Sequence, residues 1–202
     1  VVPGGFSYAD ALGAGKLLAL DLASYFADEF AAFVESGKPV IGICNGFQAL
    51  VKSGILPGES PSPSGRGARG EGATLTFNEQ GHFECRWVNL APQICIWTKG
   101  LEDNILWPVA HGEGNFQTSE HFPLSSFIEQ DQVAITYTYP DGAPANGDYP
   151  INPNGSILDI AGICNPQGNV LGLMPHPERA SEVELGGTDG TKFFQSIVAS
   201  FD

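Results

Sequence analysis

Hydrophobic residues recur at a helical period in the first part of the chain and then form a short continuous run. In residues 9–33, apolar side chains return every three or four positions, which predicts a helix, with a break at Gly13 or Gly15. Residues 40–43 are all nonpolar, and a run of this length is typical of one buried strand. Residues 47–52 return to the helical spacing. A helix, a strand and a second helix are therefore predicted to follow one another.

The second half of the chain changes to shorter segments with the patterns of β-strands. Residues 165–169 separate the last two of these segments and suit a hairpin turn, and a final helix is predicted at residues 188–201. Because helices interleave with strands at first and strands dominate later, we predict an α/β fold. Its sheet is expected to be open and mostly parallel, flanked by helices, with an antiparallel extension. The predicted strand segments are residues 74–77, 82–88, 95–97, 133–137, 157–163 and 170–174.

Length and charge limit the classes of protein that remain. The chain has 202 residues, enough for one domain with a full core, and we predict a single domain over residues 1–202. The formal net charge of −14 does not suit nucleic acid or an anionic membrane surface, because both are bound through basic patches. No apolar run reaches the roughly 18 residues of a transmembrane helix. We therefore expect neither a nucleic-acid nor a membrane partner.

The four cysteines indicate a reducing environment and no metal site. Cys44, Cys85, Cys95 and Cys164 form no C-x-x-C pair and lack histidines at zinc-ligand spacing. A cytoplasmic location is the simplest interpretation. Cys85 and Cys95 lie in strand-like segments, so we expect both to be buried structural thiols.

A low-complexity segment and the first residues of the chain give two further expectations. Residues 59–72 are rich in Pro, Ser and Gly and lack the spacing of a phosphate-binding P-loop, which favours a flexible surface loop. Val1 and Val2 read as the end of a strand that leads directly into a glycine turn. We expect from this that an N-terminal piece is missing and that the domain is truncated.

The junction of the predicted strand and second helix carries the first chemical signal. Gly42, Cys44 and Gly46 form a G-x-C-x-G element, the thiol counterpart of the G-x-S-x-G nucleophile elbow. Flanking glycines permit the sharp turn, and a helix N-terminus is expected to favour the thiolate. A free cysteine packed into the core is the alternative on this stretch alone.

A possible base and its orienting acid follow the last predicted strand. His176 and Glu178, held extended by Pro175 and Pro177, project to the same side, so the carboxylate can fix and stabilise the imidazole. A solvated surface turn is the alternative for this segment alone. Together with Cys44, however, these residues meet the requirements for nucleophile, base and acid.

Acyl transfer also needs donors for the oxyanion. The backbone N–H groups of Gly5 and Asn45 are candidates, although Gly4 and Gly5 could instead form only a tight turn.

Five motifs together resemble the class I glutamine amidotransferase family, and within it the glutaminase subunits of phosphoribosylformylglycinamidine synthase. The resemblance covers nearly the whole chain apart from residues 59–72. It implies a flavodoxin-like sheet, and it implies that an N-terminal strand and helix before Val1 are missing. Gly13 departs from it, because a basic residue would be expected there. The motifs are PGGFSYAD at residues 3–10, GICNGFQ at 42–48, HGEGNF at 111–116, NPNGS at 152–156 and MPHPER at 174–179.

The resemblance implies a role for each matching residue. Cys44 would attack the side-chain amide of glutamine, His176 would transfer the proton to ammonia, and Glu178 would orient His176. Gly5 and Asn45 would form the oxyanion hole. Residues implied to hold the glutamine are Gln48, His111, Gly112, Glu113, Asn115 and Phe116, and Asn154 and Ser156 would line either the same site or the face toward a partner.

The resemblance also implies that the chain works with others. Ammonia would pass to a synthase subunit that uses ATP and Mg²⁺ to convert formylglycinamide ribonucleotide to the amidine in de novo purine biosynthesis. A small bridging subunit would complete the complex, and this chain would need no cofactor of its own. The alternatives are a cysteine hydrolase or peptidase of the same superfamily, and a truncated, non-catalytic subunit.

Overall fold

The computed structural model describes most of the chain. The described residues are 1–58, 72–93, 95–101, 104–118 and 124–199. Apart from Gly72, the predicted flexible loop at residues 59–72 lies outside them.

Five α-helices and eight β-strands are formed by the described residues, with short 3₁₀ turns at Ser7–Asp10, Ile157–Asp159, Pro177–Arg179 and Val183–Leu185. The helices are α1 (Lys16–Tyr25), α2 (Ala27–Glu35), α3 (Asn45–Lys52), α4 (Leu124–Glu129) and α5 (Asp189–Ala199). The strands are β1 (Val40–Ile43), β2 (Ala73–Thr76), β3 (Glu84–Pro92), β4 (Ile105–His111), β5 (Asn115–Thr118), β6 (Val133–Thr138), β7 (Ile160–Cys164) and β8 (Val170–Leu173).

The main sheet has six strands in the order β1-β8-β7-β6-β3-β4, and β2 and β5 form a separate antiparallel pair. β1 and β8 run parallel, whereas the other four pairings of the main sheet are antiparallel. The predicted α/β fold with a parallel part and an antiparallel extension is confirmed, and the predicted hairpin joins β7 to β8. Within the described residues the antiparallel part is the larger. A parallel pair needs a long crossover connection, whereas β7 follows β6, and β8 follows β7, as antiparallel neighbours.

Helix α3 packs closely on the parallel part of the sheet because a glycine faces it. A Cβ atom at Gly172 in β8 would lie only 2.0 Å from Cδ2 of Phe47 in α3. Phe47 and Leu50 are fully buried in this contact region. The same contact fixes the first turn of α3, and Cys44 directly precedes that turn.

An aromatic cluster holds α5 against the other end of the sheet. The rings of Trp107 and Phe193 lie edge to face with centroids 5.2 Å apart, and Trp97 stacks on Phe193 at 5.8 Å. Trp107 and Phe193 are completely buried. Large buried aromatic pairs of this kind contribute much of the apolar area that stabilises a fold.

The long helix predicted at residues 9–33 is divided in the structure. Residues 7–10 form a 3₁₀ turn, α1 begins after Gly15, whose φ of 68° suits glycine, and Phe26 separates α1 from α2. The predicted break at Gly15 is therefore confirmed, and the second break at Phe26 was not predicted.

Two strand predictions were wrong in part. Residues 95–97 form a turn because the Thr98 hydroxyl accepts from Cys95 N at 3.0 Å and bonds to Gln93 O, giving the backbone a local alternative to strand pairing. Residues 157–159 form a 3₁₀ turn, and β7 begins only at Ile160.

The prediction that Cys85 is buried was also wrong, whereas Cys95 is buried as expected. Strand β3 turns the carboxylate of Glu84 inward, where Arg86 and His82 pair with it at 2.5 and 2.8 Å. Side chains alternate along a strand, so inward Glu84 places Cys85 on the solvent side.

None of the helices in the described part of the chain is both long enough and apolar enough to cross a membrane.

We expect Gly172→Ala to lower the free energy of unfolding by about 1–3 kcal/mol, because the added methyl group overpacks against Phe47. Gly187→Ala is the matched control, since its added Cβ would be in ordinary contact with Trp87 at 3.5 Å. This control should stay within about 0.5 kcal/mol of the wild type. Urea unfolding followed by fluorescence measures both, and equal effects would contradict the proposed packing.

Candidate active site

Cys44 stands on a strained turn between β1 and α3. Its φ and ψ are 50° and −105°, a conformation that costs energy for a residue with a side chain. The turn requires its two flanking glycines: a Cβ at Gly46 would lie 2.0 Å from Val2 O, and one at Gly42 would lie 2.6 Å from Cδ1 of Leu50. The elbow geometry predicted from the G-x-C-x-G spacing is therefore present.

His176 follows β8 and is oriented by Glu178. Its Nδ1 lies 2.6 Å from Oε1 of Glu178, and its backbone N–H donates to Pro108 O at 2.8 Å. A carboxylate only accepts hydrogen bonds, so Nδ1 carries the proton and Nε2 presents a lone pair. Nε2 has no hydrogen-bond partner among the described residues, and the side chain is 5% exposed. This is the arrangement of a general base with its orienting acid.

Cys44 and His176 meet at one cleft of about 190 Å³. Gly4 lies between them, since a Cβ there would be 3.2 Å from Cε1 of His176 and 3.4 Å from Cβ of Cys44. The Cys44 thiol donates to the carbonyl oxygen of Ala110 at 3.7 Å. Cys44 and His176 therefore share one cavity, and the thiol is hydrogen-bonded to a backbone carbonyl group. Lining residues that the motifs predicted are Gly5, Cys44, Asn45, Gln48, His111, Gly112, Glu113 and His176.

Burial keeps Cys44 protonated. It raises the pKa of the thiol to about 12; the Asn45 backbone N–H opposes this, while the carboxylates of Glu178 and Asp10 add to it. The N–H group at the helix N-terminus therefore favours the thiolate as expected, but desolvation is the larger effect and raises the pKa of Cys44 overall. The thiol must lose its proton to a base as it attacks.

The two residues predicted as oxyanion donors, Gly5 and Asn45, both line the cleft. Gly5 has a φ of 110°, and Asn45 is the first residue of α3, where backbone N–H groups point out of the helix. The Asn45 side chain accepts from Ser7 N at 2.9 Å and donates to Oδ1 of Asp10 at 3.1 Å. These bonds hold the loop that carries Gly5 against the elbow.

Gln48 and Glu113 connect α3 to the opposite wall. Nε2 of Gln48 donates to the backbone oxygen of Glu113 at 2.6 Å, and Nζ of Lys52 lies 3.7 Å from Oε2 of Glu113. A Cβ at Gly13 would lie 3.9 Å from the same Nζ. Lys52 thus brings a positive charge to the place where the motifs led us to expect one at position 13.

Four predicted substrate-binding residues do not line the cleft but stand behind it: Asn115, Phe116, Asn154 and Ser156. Asn154 is completely buried and donates to Gly114 O at 2.8 Å. The Ser156 hydroxyl accepts from Phe116 N at 3.0 Å, and the Phe116 ring stacks on Phe47. These residues hold the turn that follows β4.

Sequence reasoning missed several residues of the site. Phe6, Phe77 and Phe83 line the cleft and are each more than half exposed, with the rings of Phe6 and Phe83 6.3 Å apart. Asn78, which is buried, bonds to both His111 and the turn after it. The turn-forming residues Asn78 and Gly81 predict a chain reversal, but nothing local indicates that this reversal supports a site.

Within the parts of the chain that the structure describes, no three His, Cys, Asp or Glu side chains lie close enough together to bind a metal ion.

A cysteine on an elbow, a His–Glu pair and backbone N–H groups around one cleft form the arrangement that cysteine-dependent acyl transfer requires, here on an α/β fold. The chain belongs to the family of CobB/CobQ-like glutamine amidotransferase domains, whose family model matches residues 1–185.

Similar proteins narrow this class. Phosphoribosylformylglycinamidine synthase subunit PurQ of Treponema denticola is 60% identical over 187 residues, spanning 88% of this chain and 69% of that protein. The protein of the same name from Dehalococcoides mccartyi is 46% identical over 180 residues, spanning 88% of this chain and 65% of that protein. The chain thus spans about two thirds of the length of these relatives.

Solved structures agree in fold. A chain of the PurLQS structure from Thermotoga maritima superposes with a TM-score of 0.74 at 36% identity, covering 98% of this chain and 77% of that chain. The glutaminase domain of CTPS from Trypanosoma brucei gives a TM-score of 0.52 at 13% identity, covering 98% and 70%. The second likeness concerns the fold alone.

We expect Cys85 to be alkylated by iodoacetamide more than about tenfold faster than Cys44 at pH 8, because Cys85 is exposed and Cys44 is a buried, protonated thiol. Since burial raises the pKa of Cys44 to about 12, its alkylation rate should keep rising with pH up to that value. Peptide mass spectrometry over a pH series measures both rates. Faster labelling of Cys44 than of Cys85 would show that a thiolate exists at rest.

Proposed function

We propose that this chain is the glutaminase subunit of a phosphoribosylformylglycinamidine synthase, acting in de novo purine biosynthesis. It hydrolyses glutamine to glutamate and ammonia and passes the ammonia to an ATP-dependent synthase subunit, which forms the amidine from formylglycinamide ribonucleotide. The observation that carries the proposal is the shared cleft of Cys44 and the His176–Glu178 pair. The 60% identity to a protein named as this subunit supports the choice of complex.

The first half of the reaction forms a thioester. The Cys44 thiol transfers its proton to Nε2 of His176 while its sulfur attacks the carboxamide carbon of glutamine. The carboxylate of Glu178 stabilises the imidazolium, and the N–H groups of Gly5 and Asn45 bind the oxyanion. The C–N bond then breaks, and the leaving nitrogen takes the proton from His176 and departs as ammonia.

The second half restores the thiol. His176 removes a proton from a water molecule, the resulting hydroxide attacks the thioester carbon, and the C–S bond breaks. The sulfur regains a proton from His176, and glutamate is released. The same base and the same nucleophile therefore act in both halves of the reaction, as is usual in covalent catalysis.

The remaining lining residues hold the amino-acid part of glutamine. The α-ammonium group is a cation, and the carboxylates of Asp10 and Glu113 both line the cleft. Gln48 and Gly112 lie on the same walls. Phe116, Asn154 and Ser156 contribute indirectly, by holding the turn of residues 112–114 in place.

Partner chains complete the activity. The synthase subunit binds ATP and Mg²⁺ and consumes the ammonia, and a small bridging subunit joins the two. The likeness to a chain of the PurLQS structure supports this assembly. All four cysteines are free thiols, which supports a reducing, cytoplasmic location.

Cys44→Ala tests the division of labour between the chains. In the assembled complex, the variant should lose glutamine-dependent amidine formation but keep synthesis with added ammonia, since only the glutaminase step needs the thiol. Product is measured with each nitrogen source. Loss of both activities would contradict the proposal, as would glutamine-dependent synthesis that survives the substitution.

Glu178→Gln tests the acid behind the base. The neutral amide cannot stabilise an imidazolium, so kcat for glutamine hydrolysis should fall by about 10²–10⁴. We expect the lower end, because the Glu178 side chain is 43% exposed. Glu182→Gln, an exposed carboxylate nearby, is the matched control and should leave kcat unchanged. An equal response of the two variants would remove Glu178 from the mechanism.

A further inference from the structure

His111 is a second buried histidine on the wall of the cleft. It ends β4, is 2% exposed, and lies close enough to His176 to interact with it electrostatically. Its Nε2 atom has no hydrogen-bond partner in the described part of the chain. The mechanism above uses His176 as its base and gives no contact to the Nε2 atom of His111.

The side chain of Asn78 fixes which nitrogen of His111 carries the proton. Its Nδ2 donates to the backbone oxygens of His82 and His111, each at 2.9 Å. Its Oδ1 accepts from Gly114 N at 3.0 Å, so the orientation of this amide is determined by its partners. The same Oδ1 lies 3.1 Å from Nδ1 of His111. Nδ1 must therefore be the protonated nitrogen, and Nε2 bears a lone pair.

The two histidines differ in the group behind them. Glu178 is a carboxylate and stabilises a positive charge on His176, whereas Asn78 is a neutral amide and gives His111 no such support. Burial and the neighbouring His176 also lower the pKa of His111 to about 4. His111 therefore stays neutral at physiological pH and acts as a hydrogen-bond acceptor rather than as a base.

We propose that Nε2 of His111, together with the carbonyl oxygen of Ala110, accepts the N–H groups of the substrate carboxamide, and that Asn78 is the positioning residue for this contact. The proposal rests on the glutaminase function proposed above. The Ala110 oxygen already meets the Cys44 thiol, and His111, the next residue of β4, lines the same cleft.

This pair of acceptors makes the site selective for an amide. A carboxamide presents two N–H donors, whereas a γ-ester or a γ-carboxylate presents only oxygen lone pairs at the same place. When Nε2 of His111 and the oxygen of Ala110 face an oxygen lone pair of the ligand, both buried acceptors are left without a donor. The contact therefore favours glutamine over its ester and disfavours the product glutamate. His111 gives up no proton; the leaving nitrogen still takes its proton from His176.

The test compares an amide and an ester substrate in the assembled complex. The γ-methyl ester of glutamate reacts through the same thioester but has no N–H group on its leaving atom. We expect His111→Phe to lower kcat/KM for glutamine about 10- to 100-fold more than for the ester, the range for leaving one buried donor unpaired. Equal loss for both substrates would overturn the inference, because a merely structural defect affects both.

Companion variants keep the result interpretable if His111→Phe folds poorly. His111→Gln retains an acceptor and should restore much of the preference for glutamine, and Asn78→Ala should reduce the ratio of glutamine to ester activity. His82→Ala is the matched histidine control, since His82 is exposed and pairs with Glu84 away from the cleft. It should leave the ratio unchanged; a loss equal to that of His111→Phe would contradict the assignment.

The nitrogen chemical shifts of His111 give a direct second measurement. ¹⁵N NMR should find the tautomer protonated at Nδ1, and the opposite tautomer would overturn the proposal. A wild-type complex that hydrolyses neither substrate would instead refute the glutaminase function itself.

Discussion

The close approach of α3 to the sheet is the constraint on which the rest of the site depends. Phe47 can pack on β8 only because position 172 has no side chain, and the turn at Cys44 can form only because Gly42 and Gly46 leave room for neighbouring backbone and side-chain atoms. β1 and β8 are paired in parallel, with Ile43 opposite Leu173. Cys44 and His176 therefore lie at the same edge of the sheet, one and three residues past the ends of β1 and β8. Their meeting is a property of the sheet rather than of any bond between them.

At that edge, the imidazoles of His111 and His176 differ in the group that accepts the hydrogen bond from Nδ1. In the proposed mechanism, the carboxylate of Glu178 suits His176 to the role of base, and the amide of Asn78 suits His111 to that of a neutral acceptor. Burial acts on both the thiol and His111 in the same sense, since it removes charge from the resting cleft. A negative charge on the Cys44 sulfur is thus expected to develop only when a substrate fills the cavity.

Much of the site could be predicted from the sequence because its central parts are local. The elbow depends on residues two positions apart, and so does the pairing of His176 with Glu178. The sequence left Asn154 and Ser156 open between the site and a face toward a partner, because their contact with Gly114 spans about 40 positions and no local pattern reveals it. Asn78 was not predicted as a residue of the site for the same reason. Hydrophobicity alone predicts that Cys85 faces the interior. The prediction failed because the neighbouring carboxylate of Glu84 faces inward instead, which turns Cys85 toward solvent.

The resting position of Cys44 has a consequence for the durability of the protein. Peroxides oxidise thiolates far faster than thiols, and sulfinic or sulfonic acid at a nucleophile cannot readily be reversed. Burial that holds the pKa of this thiol at about 12 leaves almost no thiolate to be oxidised between turnovers. A cysteine that becomes reactive only beside its substrate can remain chemically intact in a cell exposed to oxygen, while an exposed thiol such as Cys85 is oxidised first.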